Sequence, residues 1–224
     1  MSNLKETMDA FQTKFESGAA PYNVKPTQVT VMHQFDDELR NTGILENIPR
    51  PGNKFPSFAL ENQEGETIKL NTLLERGPVV VSFFRGMWCP YCIMELQALQ
   101  KSLTEIDATG ATLVAISPQL STLNKQTINQ NKLSFDILND NGNALAESLG
   151  IAYRLGDELI EKVYNAFGVK MSQFNGDDSW RLPLSSRFVI DTEGTIIAVD
   201  ADVNYRSRPE PEETIAILRA LLAV

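Results

Sequence analysis

Cysteine and histidine are nearly absent from this chain, which carries two cysteines, Cys89 and Cys92, and one histidine, His33. With 224 residues and 42% apolar side chains, it can bury a core without disulfide staples. A zinc centre generally takes four ligands, so carboxylates or a second subunit would have to complete one here. Neither a metal nor a cofactor is expected. Positive charge is also in deficit, with 20 Lys and Arg against 29 Asp and Glu and a formal charge of −9. That average field repels nucleic acid and anionic membrane surfaces, and no local basic cluster overturns it. Long hydrophobic runs are missing as well. Val79 to Phe84 is the longest such stretch, far short of the roughly 20 residues a membrane helix needs. The start, Met1-Ser2-Asn3-Leu4-Lys5, does not read as a secretory signal, so the expected compartment is the cytoplasm. In a reducing compartment, two cysteines three positions apart point to redox chemistry or metal binding before structural bracing.

What is present divides near residue 50. Leu4, Met8, Phe11 and Phe15 recur at helical spacing and predict a helix over Leu4 to Glu16, ended by Gly18 and Pro21. Val31, Phe35 and Leu39 predict a second helix from Thr27 to Asn41. Arg50-Pro51-Gly52-Asn53 is a break, giving a helical extension over 1–50 and a main domain over 51–224. Apolar faces on both early helices raise the expectation of a homodimer.

Beyond the break, strands and helices alternate. Ser57–Leu60 and Thr67–Leu70 read as a hairpin, and Val79–Phe84 as a strand covered on both faces. Pro90 opens a helix to Asp107. Further strands are read at Thr112–Ile116 and Phe135–Leu138, and a second hairpin at Arg187–Ile190 and Thr195–Val199. Helices are read at Thr122–Asn131, Ala144–Leu149, Gly156–Phe167 and Pro211–Leu222. The sum is an α/β fold with a central mixed β-sheet flanked by helices.

The chemistry gathers in Arg85-Gly86-Met87-Trp88-Cys89-Pro90-Tyr91-Cys92, where a buried strand runs into a helix. The first turn of a helix offers unpaired N–H groups and the positive end of its dipole, which favours a thiolate at Cys89. Spacing of i to i+3 puts both sulfurs on one helix face, so one can resolve a mixed disulfide or sulfenic acid formed on the other. Against this stand a structural disulfide, which stabilises little across so short a loop, a zinc site, and a pair of inert buried thiols. Arg85 can stabilise a thiolate or a peroxide oxygen, or stand solvated at the strand end. Trp88 can shield the sulfurs or simply pack, and Tyr91 can line a docking surface or cover the helix start. Glu95 can relay a proton, but a solvated helix face is its expected place.

The segment resembles two families. Trp88-Cys89-Pro90-Tyr91-Cys92 is similar to thioredoxin-type sites, and its Pro-Tyr pair to glutaredoxins. The longer likeness is to the peroxiredoxin-like branch of the alkyl hydroperoxide reductase and thiol-specific antioxidant family. It runs through Phe55-Pro56-Ser57-Phe58, the cysteine segment, Leu113 to Pro118, Phe174 to Trp180 and Phe188 to Asp191. The resemblance implies a thioredoxin-like fold and reduction of hydrogen peroxide or alkyl hydroperoxides. The implied electron donor is an external thiol: thioredoxin, glutaredoxin or glutathione. Family peroxiredoxins carry Pro-x-x-x-Thr-x-x-Cys, against which Arg85 falls at the Pro, Cys89 at the Thr and Cys92 at the peroxide-attacking Cys. Glu95 falls where the family often has Glu, and Ser185 where it has Arg. Thioredoxin logic makes Cys89 the nucleophile and peroxiredoxin logic makes it Cys92; for peroxide both stay open. In the loop Leu182 to Arg187, Pro183 is the candidate for the cis-proline of thioredoxin-like folds, with Ser185 and Ser186 at the usual place. Asp177, Asp178 and Trp180 read as a turn with a packed aromatic. Three functions follow: a thiol peroxidase, a thiol–disulfide oxidoreductase, or a redox sensor whose dithiol switches a partner.

Overall fold

The computed structural model describes residues 3–222. Helix α1 (Leu4–Glu16) starts at a capping box, in which Asn3 Oδ1 accepts from Glu6 N–H at 2.8 Å and the Glu6 carboxylate accepts from Asn3 N–H at 3.3 Å. It ends before Gly18, whose φ of +71° and 2.6 Å clearance to the Val24 carbonyl oxygen admit no β-carbon. Helix α2 (Pro26–Asn41) follows. Then come β1 (Ala59–Glu61), β2 (Thr67–Lys69), α3 (Leu70–Leu74), β3 (Val79–Phe83), α4 (Pro90–Asp107), β4 (Thr112–Ser117), α5 (Ser121–Asn131) and β5 (Asp136–Asn139). The chain continues through α6 (Ala144–Ser148), β6 (Ala152–Arg154), α7 (Asp157–Leu159), a π-helical turn Ile160–Tyr164 and α8 (Met171–Asn175). It closes with β7 (Arg181–Pro183), β8 (Ser186–Ile190), β9 (Ile196–Ala201) and α9 (Pro211–Leu221).

Seven strands form one mixed sheet in the order β2-β1-β5-β4-β3-β8-β9. β3 runs parallel to β4 and β4 to β5, while β1–β2, β1–β5, β3–β8 and β8–β9 are antiparallel. Every residue of β3 is buried. Its alternation sends Val79, Val81 and Phe83 into the core on one face and Val80 into the core on the other. This is the α/β architecture the sequence predicts, and α1 and α4 keep the limits read for them.

Three features differ. The helix expected over Gly156–Phe167 is a short α-turn that loosens into a π-turn, where Asn165 N–H bonds the Ile160 carbonyl at 2.9 Å. Pro183 sits in β7, paired with β6 in a small second sheet that the sequence reading missed. The cis bond of the described chain is Ala20–Pro21, so Leu182–Pro183 is trans. The first two helices also do not present free apolar faces. Leu4 and Met8 join the core beneath α4, and Val31, Met32 and Leu39 join the core on the opposite face of the sheet. Much of the surface that pointed to a second copy is thus covered within the chain, while Phe11, Phe15 and Phe35 stay half-buried. No helix among the described residues is long and apolar enough to cross a membrane.

Candidate active site

β3 ends at Phe83, and Phe84 N–H still bonds the Ile116 carbonyl at 2.9 Å. The chain then leaves the sheet through Arg85-Gly86-Met87-Trp88. Gly86 has φ +146°, and a β-carbon there would lie 2.5 Å from Trp88 Nε1, so only glycine lets the indole fold back over the loop. Gln119, just past β4, pins this loop by accepting Met87 N–H at 2.8 Å. Gln119 is itself fixed by donating to Asn124 at 2.8 Å and Thr127 at 3.1 Å. Cys89 is the N-cap of α4 and Pro90 its first residue, as the sequence predicts.

Both cysteines are free thiols, and both are fully buried. Cys89 thus stands at the helix start without being open to solvent, within the core cluster that includes Tyr91 and, packed against it, Trp88. Cys92 Sγ donates to Cys89 Sγ at 2.9 Å. Arg85 is also buried, not solvated, and its Nη2 donates to Cys89 Sγ at 3.1 Å. Its guanidinium lies 3.7 Å from the Tyr205 ring centre and 5.2 Å from that of Trp88, and its Nη1 donates to Tyr164 Oη at 3.3 Å. Burial alone would push the Cys89 thiol up. The hydrogen bond from Cys92 and the charge of Arg85 outweigh it and hold Cys89 well below the ordinary thiol range. Cys92 is pushed well above that range by burial, by the proton it donates to Cys89 and by the negative charge of Cys89.

Glu95 corrects another expectation. One turn beyond Cys92 it is 1% exposed, not solvated, and it is clamped between two arginines. Its Oε1 accepts from Arg187 Nη2 at 2.8 Å and its Oε2 from Arg208 Nε at 2.5 Å. Arg208 Nη2 also lies 3.9 Å from Cys92 Sγ. Ser185 Oγ stands 3.9 Å from Cys92 Sγ, at the position where the family resemblance implies an arginine.

The structure thus brings Cys89, Cys92, Arg85, Trp88 and Tyr91 together and adds residues that the sequence reading missed. Arg208 and Tyr205 come from the irregular segment after β9, and Tyr164 from the π-turn. The cluster Tyr205-Arg206-Ser207-Arg208 in an acidic chain is a signal that could have found two of them. Asp177, Asp178 and Trp180 form a turn in which Asp177 Oδ1 accepts Ser179 N–H at 2.8 Å, and Trp180 packs on Tyr164 at 6.0 Å.

The chain that carries this arrangement is similar to known proteins. Peroxiredoxin Q of the chloroplast from Sedum lineare is 28% identical over 185 residues, covering 82% of this chain and 84% of that protein. Thiol-disulfide oxidoreductase ResA of Halalkalibacterium halodurans is 31% identical over 106 residues, covering 47% and 59%. Among solved structures, peroxidoxin BcpB of Mycobacterium tuberculosis superimposes with a TM-score of 0.60 at 21% identity, over 77% of this chain and 97% of that one. That likeness carries the fold. The AhpC/TSA family matches residues 51–199, which take in the whole sheet up to β9 and both cysteines. The chain belongs to the AhpC/TSA family.

Proposed function

We propose that this chain is a thiol peroxidase in which Cys89 attacks a hydroperoxide and Cys92 resolves the product. The observation that carries the reading is the Arg85 Nη2 contact with Cys89 Sγ at 3.1 Å. The family pattern has an arginine at the position of Ser185, beside Cys92. Here the cation that touches a sulfur without a carboxylate partner in hydrogen-bond contact among the described residues is Arg85, beside Cys89, whereas Arg208 near Cys92 is paired with Glu95, and the thiolate goes with the unpaired cation. The Cys89 thiolate attacks one peroxide oxygen; an S–O bond forms, the O–O bond breaks, and the leaving alkoxide or hydroxide takes a proton. Cys89 is then a sulfenic acid. The Cys92 sulfur displaces its oxygen as water and closes a Cys89–Cys92 disulfide. Two electrons from an external thiol donor, of the thioredoxin, glutaredoxin or glutathione kind, restore both thiols, which presumes a reducing compartment.

The test is stopped-flow tryptophan fluorescence of the reduced protein mixed with hydrogen peroxide, with Trp88 as reporter. Cys89→Ser and Cys92→Ser run alongside. The expected rate is far above that of free cysteine and is lost in Cys89→Ser but not in Cys92→Ser. Loss only in Cys92→Ser would reverse the two roles. A rate no better than free cysteine would remove the peroxidase reading. The second reading, disulfide exchange, is supported by the same low thiolate at a helix N-cap and by the likeness to ResA. Fast reduction of a protein disulfide by a chain inert to peroxide is the result that would favour it.

A further inference from the structure

The segment between β9 and α9 carries two residues of the site, Tyr205 and Arg208, yet has no regular structure of its own to aim them. Helix α2 holds it along a single line. Met32, Asp36 and Arg40 are spaced i, i+4 and i+8, so they stand on one face of that helix. Tyr205 Oη donates to Met32 Sδ at 3.6 Å, Arg206 Nη1 donates to Asp36 Oδ2, and Arg40 Nη2 donates to Asp202 Oδ1 at 3.1 Å. Helix α1 adds Glu16, whose Oε1 lies 3.3 Å from Arg206 Nε.

The three tethers are not equal. The Arg40–Asp202 pair is exposed and stabilises little. Arg206 and Asp36 are both buried, and separating them would strand a charge inside the protein. From that anchored position the Arg206 guanidinium lies 4.2 Å from the Tyr205 ring centre. Arg85 lies 3.7 Å from the same centre, closer than to any other ring it meets, and its Nη2 reaches Cys89 Sγ at 3.1 Å. One ring thus takes two guanidiniums, the first tied to carboxylates and the second in contact with the thiol. Arg85 has little else to fix it, since its Nε has no hydrogen-bond partner among the described residues.

We infer that Asp36 is a positioning residue: through Arg206 it sets Tyr205 against Arg85 and so keeps the Arg85 guanidinium on Cys89 Sγ. Glu16, Asp36, Tyr205 and Arg206 all lie outside the segment 51–199 that matches the family, so parts of the chain beyond that segment aim a side chain within it. The inference rests on Cys89 being the thiolate of the reading above, and its test separates the two.

Cys89 is titrated by thiolate ultraviolet absorbance in a Cys92→Ser background, so that one thiol is read and no peroxide is needed. Arg85, Cys92, Arg208 and the hydroxyls of Tyr91, Tyr164 and Tyr205 face Cys89 in the native chain, and Asp36→Asn alters none of them. By charge alone, removing a carboxylate favours a nearby thiolate and would move the Cys89 titration down. Loss of aim moves it up, because Arg85 no longer stays on the sulfur. The expected shift in Asp36→Asn is upward, and the neutral rate with hydrogen peroxide, measured with Cys92 in place, should fall roughly tenfold. Arg206→Lys keeps every charge but not the flat guanidinium over the ring. It should also shift the titration upward, and serves if Asp36→Asn disturbs folding. Added to Arg85→Met, Asp36→Asn should cost no further rate, as two steps of one path require. A titration that stays or moves down in both variants, or a rate loss that adds to that of Arg85→Met, would overturn the inference and leave Asp36 as a structural ion pair. Upward shifts in a chain that reduces peroxide no faster than free cysteine would keep the positioning and remove the peroxidase reading. A native Cys89 that titrates in the ordinary thiol range would remove both.

Discussion

Two sulfurs lie 2.9 Å apart, each has a buried arginine near it, and they shift in opposite directions. On the Cys89 side, Arg85 is surrounded by Trp88, Tyr164 and Tyr205 and has no carboxylate in hydrogen-bond contact among the described residues. On the Cys92 side, Arg208 gives its Nε to Glu95, which also holds Arg187. A guanidinium already paired with a carboxylate has less field to offer a thiol 3.9 Å away. Proximity to a cation therefore does not decide which sulfur ionises. The cation must also lack a closer anion, so that the thiolate becomes its counter-charge.

Removing either sulfur is the largest perturbation of this comparison. Cys89→Ser leaves Arg85 buried with no counter-ion, and peroxide reduction should fall at least about a thousandfold, toward the uncatalysed background. Cys92→Ser should keep the first oxidation but accumulate Cys89 sulfenic acid, because nothing nearby resolves it. Mass spectrometry with a sulfenate trap after one equivalent of peroxide distinguishes them. Trapped adduct in Cys92→Ser alone supports the assignment; adduct in Cys89→Ser alone reverses it.

Glu95→Gln attacks the Cys92 side next. It strands two buried arginines, and breaking a buried ionic cluster by removing one partner costs about 3–5 kcal/mol. Urea unfolding should show that loss. The Arg208 charge, no longer neutralised, should also draw the Cys92 thiol down and narrow the gap between the two sulfurs. A titration by thiolate ultraviolet absorbance that leaves the gap unchanged would show that Glu95 braces the fold without setting the charge balance.

The two sides were not equally legible in the sequence. The cysteine spacing, Pro90 and the regular leucines of α4 identify Cys89 as the N-cap, because those signals are local. The place of Glu95 was misread for the complementary reason. Periodicity tells which face of α4 it occupies, but not that arginines 92 and 113 positions away arrive there. Arg208 comes from a segment with neither helical nor strand period, and Tyr164 is aimed by a π-turn that no 3.6-residue pattern anticipates. Arg85 read equally well as solvated, since its burial depends on Tyr205 closing over it.

Arg85→Met tests the Cys89 side with a smaller effect. Without the guanidinium the thiolate loses a major support and the Cys89 pKa rises. Attack requires the thiolate, so in the native chain the rate is flat through neutral pH and falls only as pH drops through the lowered Cys89 value. In Arg85→Met the falling limb moves to higher pH, and the neutral rate drops roughly a hundredfold, the usual cost of one lost charged donor. The same lowered value stabilises the fold above the ordinary thiol range, a contribution that fades as pH falls through the folded value. In Arg85→Met it should shrink. A profile that keeps its position while the rate falls would mean Arg85 orients substrate instead of ionising Cys89.

The smallest change reaches Cys89 from its covering wall. Glu210, the N-cap of α9, has a carboxylate that accepts Leu4 N–H at 3.0 Å and Lys5 N–H at 2.8 Å, so it also caps α1 across the chain. Helix α1 carries Phe11, which meets Tyr91 edge-on at 5.1 Å and walls a cavity beside Cys89. Glu210→Ala removes the cross-chain cap at a cost of about 1 kcal/mol, by the scale of N-cap losses. Amide exchange in the first turns of α1 should accelerate. The Cys89 titration should shift slightly, because Phe11 and with it Tyr91 are held less firmly, while Cys92 keeps its titration because the Glu95 clamp is untouched. Equal disturbance of both sulfurs would mean that α1 supports the site as a whole, and the division into an aromatic side and a salt-bridged side would fail.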